Sequence, residues 1–289
     1  LRIANPLVLP ASPLLSLVLA SVALRALSGP PQTLVLPLGL PELPFHVRVD
    51  RLAALFLLLL GVCSAAISVY ASGYFRGESA GRLRLLGVQY QIFLASMALV
   101  LIADDAYLFM VAWESMALAS YFLVTTEHRQ ATIRQAGFIY ILIAHVGALA
   151  ILLCFGVLQG GAGFESYRFD VLRAAELTPF WAGIAFLLAL IGFGAKAGMV
   201  PLHVWLPEAH PAAPSPVSAL MSGVMLKTAI YGLVRVVFDL IGTPTWQWGL
   251  GLALIGAITA LFGILYALQQ NDLKRLLAYS SVENIGIIL

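Results

Sequence analysis

The sequence predicts an all-α polytopic membrane protein, and three observations carry that prediction. Of the 289 residues, 61% are apolar and only 10% are formally charged, where soluble globular chains carry roughly 25% charged residues. Runs of about 20 mainly apolar residues, enough to cross a hydrocarbon core of roughly 30 Å, recur along the chain. Short polar or Pro/Gly-rich breaks separate them.

About nine spans are expected, one of them broken. The first, 7–27, lacks a small-residue cleavage site with a polar exit, so it reads as a membrane helix and not as a secretory signal. Residues 28–51, SGPPQTLVLPLGLPELPFHVRVDR, are rich in Pro and Gly, and FHVRV alternates as a short strand does; a small extracytoplasmic hairpin or extended loop is expected. Spans 52–74 and 83–103 follow. Asp104 and Asp105 then mark a short turn, where they are most simply solvated, before span 106–125. Span 133–158 leads into a second long connection, 159–178, QGGAGFESYRFDVLRAAELT, with room for an amphipathic turn or two. Spans 179–200, 214–241 and 246–268 come next, and a ninth begins near Leu276. Together, residues 1–289 read as a single transmembrane domain.

Alternating helices put Arg2, Arg76, Arg82, Arg84, Arg129, Arg134, Lys274 and Arg275 on one side, and Arg48, Arg51, Arg168 and Arg173 on the other. Eight cations against four favour the first side, with its Asn271–Arg275 loop, as cytoplasmic. Arg25 and Arg235, near helix ends, are placed to snorkel to the second side. A net charge of +2 is too small to suggest nucleic acid. Cys63 and Cys154 lie inside apolar spans, where a thiol acts as a small hydrophobe, and two isolated cysteines imply neither a disulfide framework nor a metal site. QGGAG at 159–163 lacks the strand and helix of a phosphate loop. No haem-ligand pair, cysteine cluster or dinucleotide fingerprint supplies a redox carrier, so no cofactor is expected in this chain.

Glu114, Lys196 and Lys227 are charges inside predicted spans. Each costs about 2.5 to 3.5 kcal/mol at the bilayer centre on insertion scales, which makes a functional role the default reading. The chain has three lysines against thirteen arginines, yet two of the three lysines lie inside predicted spans. An arginine stays charged, whereas a desolvated lysine can lose its proton near neutral pH. A structural ion pair stapling two helices is the plainer alternative. What shifts the balance is the helix break: Pro201 follows Lys196 by five residues, and Pro207, Pro211, Pro214 and Pro216 come soon after. Non-helical backbone at membrane depth survives only where it is packed in protein or lines a water-filled cavity, which suits an ion path.

His203, Glu208 and His210 crowd this turn, at a spacing that matches no common zinc signature, and read as polar relay or cavity-mouth residues. His145, alone in IYILIAHVGALAIL, is either a proton relay or a side chain satisfied by a neighbouring helix. Glu283, early in the last span, is a further candidate relay. The direct reading is ion translocation, with the proton as the ion that Glu, Lys and His handle most easily.

WESMALASYFLV around Glu114, KAGMVPLHVWLPEAHPAAPSPVSALMSGVMLKTAIYGLVR from Lys196 to Arg235, and NDLKRLLAYSSVENIGIIL at the end carry a resemblance. They resemble the antiporter-like membrane subunits shared by respiratory complex I, multisubunit cation/proton antiporters and membrane-bound nickel-iron hydrogenases, most nearly the hydrogenase-4 and formate hydrogenlyase branch. The resemblance implies that Glu114 pairs with Lys196, that Lys227 continues a hydrophilic axis, and that a proton passes along them. It also implies two inverted five-helix repeats, with 83–241 as the proton-translocating one and 246–289 as the start of the second. A second half and one N-terminal helix are then expected outside this sequence. The stretch ALMSGVMLK departs from family branches that carry a histidine there, so Lys227 serves without it.

By the same resemblance, partners are other membrane subunits and a peripheral redox arm carrying iron-sulfur clusters with a nickel-iron or flavin centre, in a bacterial or archaeal plasma membrane. The alternative is a subunit of a sodium/proton antiporter without redox chemistry. A third possibility is a scaffold whose charges only hold helices together.

Overall fold

The computed structural model describes residues 8–41, 43–163, 166–242 and 244–289. Arg2 and the first residue of the 7–27 span lie outside them. In chain order the elements are α1 (Val8–Ala26), the strands β1 (Gln32–Leu40) and β2 (Leu43–Val49), α2 (Arg51–Tyr74), α3 (Ala80–Ile102), α4 (Ala106–Val124) and α5 (Ala131–Gly161). There follow α6 (Phe169–Ala174), α7 (Pro179–Ala197), a 3-10 turn (Leu202–Trp205), α8 (Leu206–Ala212) and α9 (Ser215–Leu220). A π segment (Met221–Met225), α10 (Leu226–Val234), a second π segment (Arg235–Ile241), α11 (Trp246–Leu268) and α12 (Leu273–Ile288) complete the chain.

Among the described residues six stretches are long and apolar enough to cross a membrane: Arg51–Tyr74, Ala80–Ile102, Ala106–Glu127, Ala131–Gly161, Pro179–Ala212 and Trp246–Leu268. The other three expected spans are helical but fall short of that length for different reasons. Ala11–Ala26 is apolar and shorter, 214–241 is divided by its two π segments, and α12 has 16 residues. Helix starts follow capping chemistry. Asp50, Asp105 and Asp272 each accept a hydrogen bond from a backbone amide of the first turn, of Ala53, Leu108 and Arg275 at 2.9, 2.6 and 2.8 Å.

The chain forms two compact units. One holds the described residues up to Thr126 with Ala213–Thr228; the other holds Glu127–Ala212 with Ala229–Leu289. In the first unit α1 packs on α2, where Ser64 Oγ donates to Ser16 Oγ at 2.9 Å, while Leu14, Leu15, Val18 and Val22 of α1 face outward. The hairpin is antiparallel, with Gln32 opposite Val49 and Leu40 opposite Leu43. Its paired strands reach well beyond FHVRV. β2 docks on the turn between α3 and α4, bridging Val47 to Ala103.

That docking corrects the expectation that Asp104 and Asp105 are solvated, for they are 8% and 3% exposed. Asp104 N donates to His46 O at 2.9 Å. The Asp105 carboxylate accepts from His46 N at 2.7 Å and from Leu108 N at 2.6 Å, and His46 Nδ1 stands 3.5 Å from it. A strand amide and a helix N-terminus thus replace the water that the two residues were expected to meet. Burial nevertheless holds the Asp105 carboxyl above the usual carboxylate value, outweighing the backbone amides and His46.

In the second unit α5 and α7 approach until backbone meets backbone. A Cβ on Gly192 would lie 2.8 Å from Gly147 O and 3.0 Å from Ile151 N, so α7 has no room for a side chain there. Arg235 is the second correction. It is 5% exposed and turned inward, not snorkelled: Nη1 donates to Asp239 at 3.0 Å and Nη2 to Tyr231 OH at 2.9 Å. Arg173 of α6 donates through Nε to both oxygens of Asp239, at 3.0 and 2.9 Å, fastening α6 to the second π segment. An acidic partner four residues on outcompetes the membrane surface.

Candidate functional site

The interrupted helix follows from its sequence. α7 runs to Ala197, and Gly198 ends it in the left-handed region at φ 82°, with its amide bonded to Gly194 O at 3.0 Å. Pro201 then caps the 3-10 turn, where continuation of an α-helix would need an amide hydrogen that proline lacks. A break in apolar surroundings leaves backbone groups to satisfy. Trp205 Nε1 donates to Ala195 O at 2.8 Å, and Thr259 Oγ1 of α11 accepts from Val200 N at 3.2 Å.

Lys196 occupies the last turn of α7 and is 2% exposed. The carbonyl end of a helix favours a cation. Its Nζ donates to Tyr140 OH of α5 at 2.7 Å and stands 4.9 Å from the centre of the same ring. Tyr140 is 1% exposed. Its ring packs 4.9 Å from that of Trp205, which in turn lies 6.5 Å from the ring of His210. One aromatic residue therefore seals the break, and the next holds the amine.

The other candidates spread over both units. Glu114 is half-buried on α4, and Lys227 is half-buried on α10; both belong to the first unit, whereas Lys196 belongs to the second. Lys227 Nζ donates to Ser222 O, inside the first π segment, at 2.8 Å. His203 is buried, with its ring edge-on to Phe262 at 4.7 Å, and His210 is buried on α8. Glu208 is half-buried, paired to Arg275 at 2.6 Å, while Lys274 reaches Pro211 O at 3.4 Å. The Asn271–Arg275 loop thus clasps the end of the broken segment. His145 faces outward from α5, and its Nδ1 lies 2.9 Å from Ile141 O of the same helix. Glu283 is half-buried on α12, its backbone against Gly263. Among the described residues no group of three or more His, Cys, Asp or Glu side chains is placed to hold a metal ion.

Tyr140, Trp205 and Thr259 were not singled out by sequence. An aromatic residue in an apolar helix reads as core, and only the position of Trp205 between two prolines hinted at a seal.

Apolar helices, a buried amine and a sealed helix break define a polytopic membrane protein with an ionisable interior. Residues 103–289, well over half of the chain, match the family described as NADH:quinone oxidoreductase/Mrp antiporter, transmembrane. The chain belongs to this family. It is 46% identical over 246 residues to hydrogenase-4 component B of Escherichia coli (strain K12), covering 84% of this chain and 36% of that protein. Formate hydrogenlyase subunit 3 of the same organism is 34% identical over 247 residues, covering 85% of this chain and 38% of that one. The fold is similar to a chain of the Mrp complex from Dietzia sp. DQ12-45-1b, with a TM-score of 0.80 and 26% identity, over 99% of this chain and 32% of that one. The present chain thus spans well under half the length of these relatives.

Proposed function

We propose that this chain is a proton-translocating membrane subunit of a hydrogenase-4/formate hydrogenlyase-like or complex I-like assembly, and that Glu114, Lys196 and Lys227 form its half-channel. The observation that carries the reading is Lys196: an amine 2% exposed, beside a broken helix, bonded to a neutral hydroxyl. A staple would pair it with a carboxylate and would need no break. Redox events in partner subunits, which carry the iron-sulfur clusters and the nickel-iron or flavin centre, shift the pairing of Glu114 with Lys196. Lys196 then passes its proton toward Lys227. His145, His203, Glu208, His210 and Glu283 are the relays proposed to connect this axis to water. Residues 83–241 form the working repeat in a bacterial or archaeal plasma membrane, with the Asn271–Arg275 loop cytoplasmic.

The likeness to the Mrp complex supports a second reading, a sodium/proton antiporter subunit without redox chemistry. The higher identity to hydrogenase-4 component B favours the first. Proton uptake by vesicles carrying the full complex tests it: Lys196→Met and Glu114→Gln should each remove most of the uptake, and undiminished uptake in the double variant refutes the path. Co-purification of iron or nickel with the chain separates the redox reading from the antiporter one.

A further inference from the structure

We propose that Tyr140 is the positioning residue of the buried amine: its hydroxyl stays bonded to Lys196 whether or not the lysine carries a proton, and so sets the pH range over which the site works. The inference rests on the reading of Lys196 as a proton site.

The chemistry lies in what a phenol can do. A protonated amine has only donors, and Tyr140 O accepts one of them at 2.7 Å. A neutral amine has a lone pair, and the phenolic O–H can turn to donate to it without any movement of the ring. The proton that leaves Lys196 departs to the next group in the path, and the Tyr140 hydroxyl keeps its own. A carboxylate at this place would hold the charged form, and an apolar side chain would favour the neutral one. A hydroxyl serves both, so the protein around the amine need not rearrange when the proton arrives or leaves.

The surroundings single out Tyr140. In the second unit α7 packs against α5, the 3-10 turn and the second π segment. Of the titratable and charged groups on those elements, His145 faces outward. His203 packs on Phe262, while Arg235 and Asp239 engage one another. His210, on α8, lies beyond Trp205. Tyr140 alone among them is bonded to the amine. Its ring is itself held in place, between the ammonium at 4.9 Å and Trp205 at 4.9 Å. Trp205 is fixed in turn by its bond to Ala195 O, one residue before Lys196. The seal of the break and the orientation of the phenol are therefore one assembly.

The test is the pH profile of proton uptake by vesicles carrying the full complex, for wild type, Lys196→Met, Tyr140→Phe and a chain with 3-fluorotyrosine at position 140. Phenylalanine keeps the ring and removes the hydroxyl. The charged amine loses more than the neutral one, because hydrogen bonds from an ion are the stronger. The alkaline limb should move down by about one pH unit, roughly a tenfold change in the balance of the two forms. Fluorotyrosine, a weaker acceptor of nearly the same shape, should move it the same way by less. A uniform fall at every pH with an unmoved limb makes Tyr140 a packing residue and overturns the inference. An unmoved limb in the fluorotyrosine chain overturns it even where Tyr140→Phe does not assemble. Loss of uptake in Lys196→Met with neither Tyr140 replacement shifting the profile leaves the proposed function standing and removes this inference alone. Unchanged uptake in Lys196→Met removes both.

Discussion

Trp205 Nε1 donates to the carbonyl of Ala195 at 2.8 Å, across a helix break that Gly198 and Pro201 impose. The bond closes over a backbone group that would otherwise be stranded, and Trp205 is 1% exposed. Trp205→Phe keeps most of the apolar volume and removes the donor. A buried acceptor left unsatisfied costs about 1 to 3 kcal/mol. The purified full chain should melt at a lower temperature by several degrees, and an unchanged melting temperature would show that water replaces the indole.

The close approach of α5 and α7 offers a matched pair of substitutions. Gly192→Ala drives a methyl toward Gly147 O and Ile151, and overpacking of this kind costs about 1 to 3 kcal/mol. Gly183, in the same helix, faces open space, and Gly183→Ala should stabilise by about 0.5 to 1 kcal/mol. Thermal unfolding of the two variants should therefore move in opposite directions; a shared direction contradicts the packing described.

Asp105 predicts a pH dependence whose sign is fixed by burial. Its carboxyl titrates above the usual value, chiefly because it is desolvated. The folded state then holds a proton that the unfolded state has released, so the carboxyl's contribution is greatest at low pH and falls as pH rises through the raised value. Asp105→Asn does not titrate. The difference in melting temperature should shift in favour of the Asn variant as pH rises across that interval, and a slope of the opposite sign rules out burial as the dominant cause.

Asp239 neutralises two guanidinium groups, one of them deeply buried. Asp239→Ala leaves Arg173 and Arg235 without their shared anion, at a cost of roughly 3 kcal/mol, the lower end of the range for buried pairs because Asp239 is partly exposed. Hydrogen exchange should rise at Phe169–Ala174, which loses its fastening, and stay unchanged in α11. Protection retained in α6 would place its anchor elsewhere.

Much of the fold was legible because the bilayer sets a length. The 246–268 stretch coincides with α11, and the 106–125 stretch with α4 to within one residue. Charged side chains in apolar runs drew attention to Lys196, Glu114 and Lys227 by their cost alone. What composition hid was direction. Asp105 reads as a solvated turn residue until β2, 59 residues away in sequence at His46, supplies an amide donor. Arg235 reads as a snorkelling cation because nothing in the sequence shows that Asp239, four residues on, binds it together with Arg173 of α6. Tyr140 reads as core because nothing in IYILIAHVG shows that its hydroxyl meets an amine brought from another helix.

The first π segment sets one more condition on the chain. Between Met221 and Met225 the helix widens, and Lys227 reaches back to the carbonyl of Ser222 within it. A widened turn of this kind amounts to one surplus residue, and each helical residue rotates its successors by about 100°. Regular α winding through the same residues would carry Lys227 to a different azimuth with every amino acid from Leu226 onward intact, whereas deleting the surplus residue along with the widening would leave its direction unchanged. The address of that amine is thus written in how the backbone winds before it, a property that no inspection of side-chain chemistry could reveal.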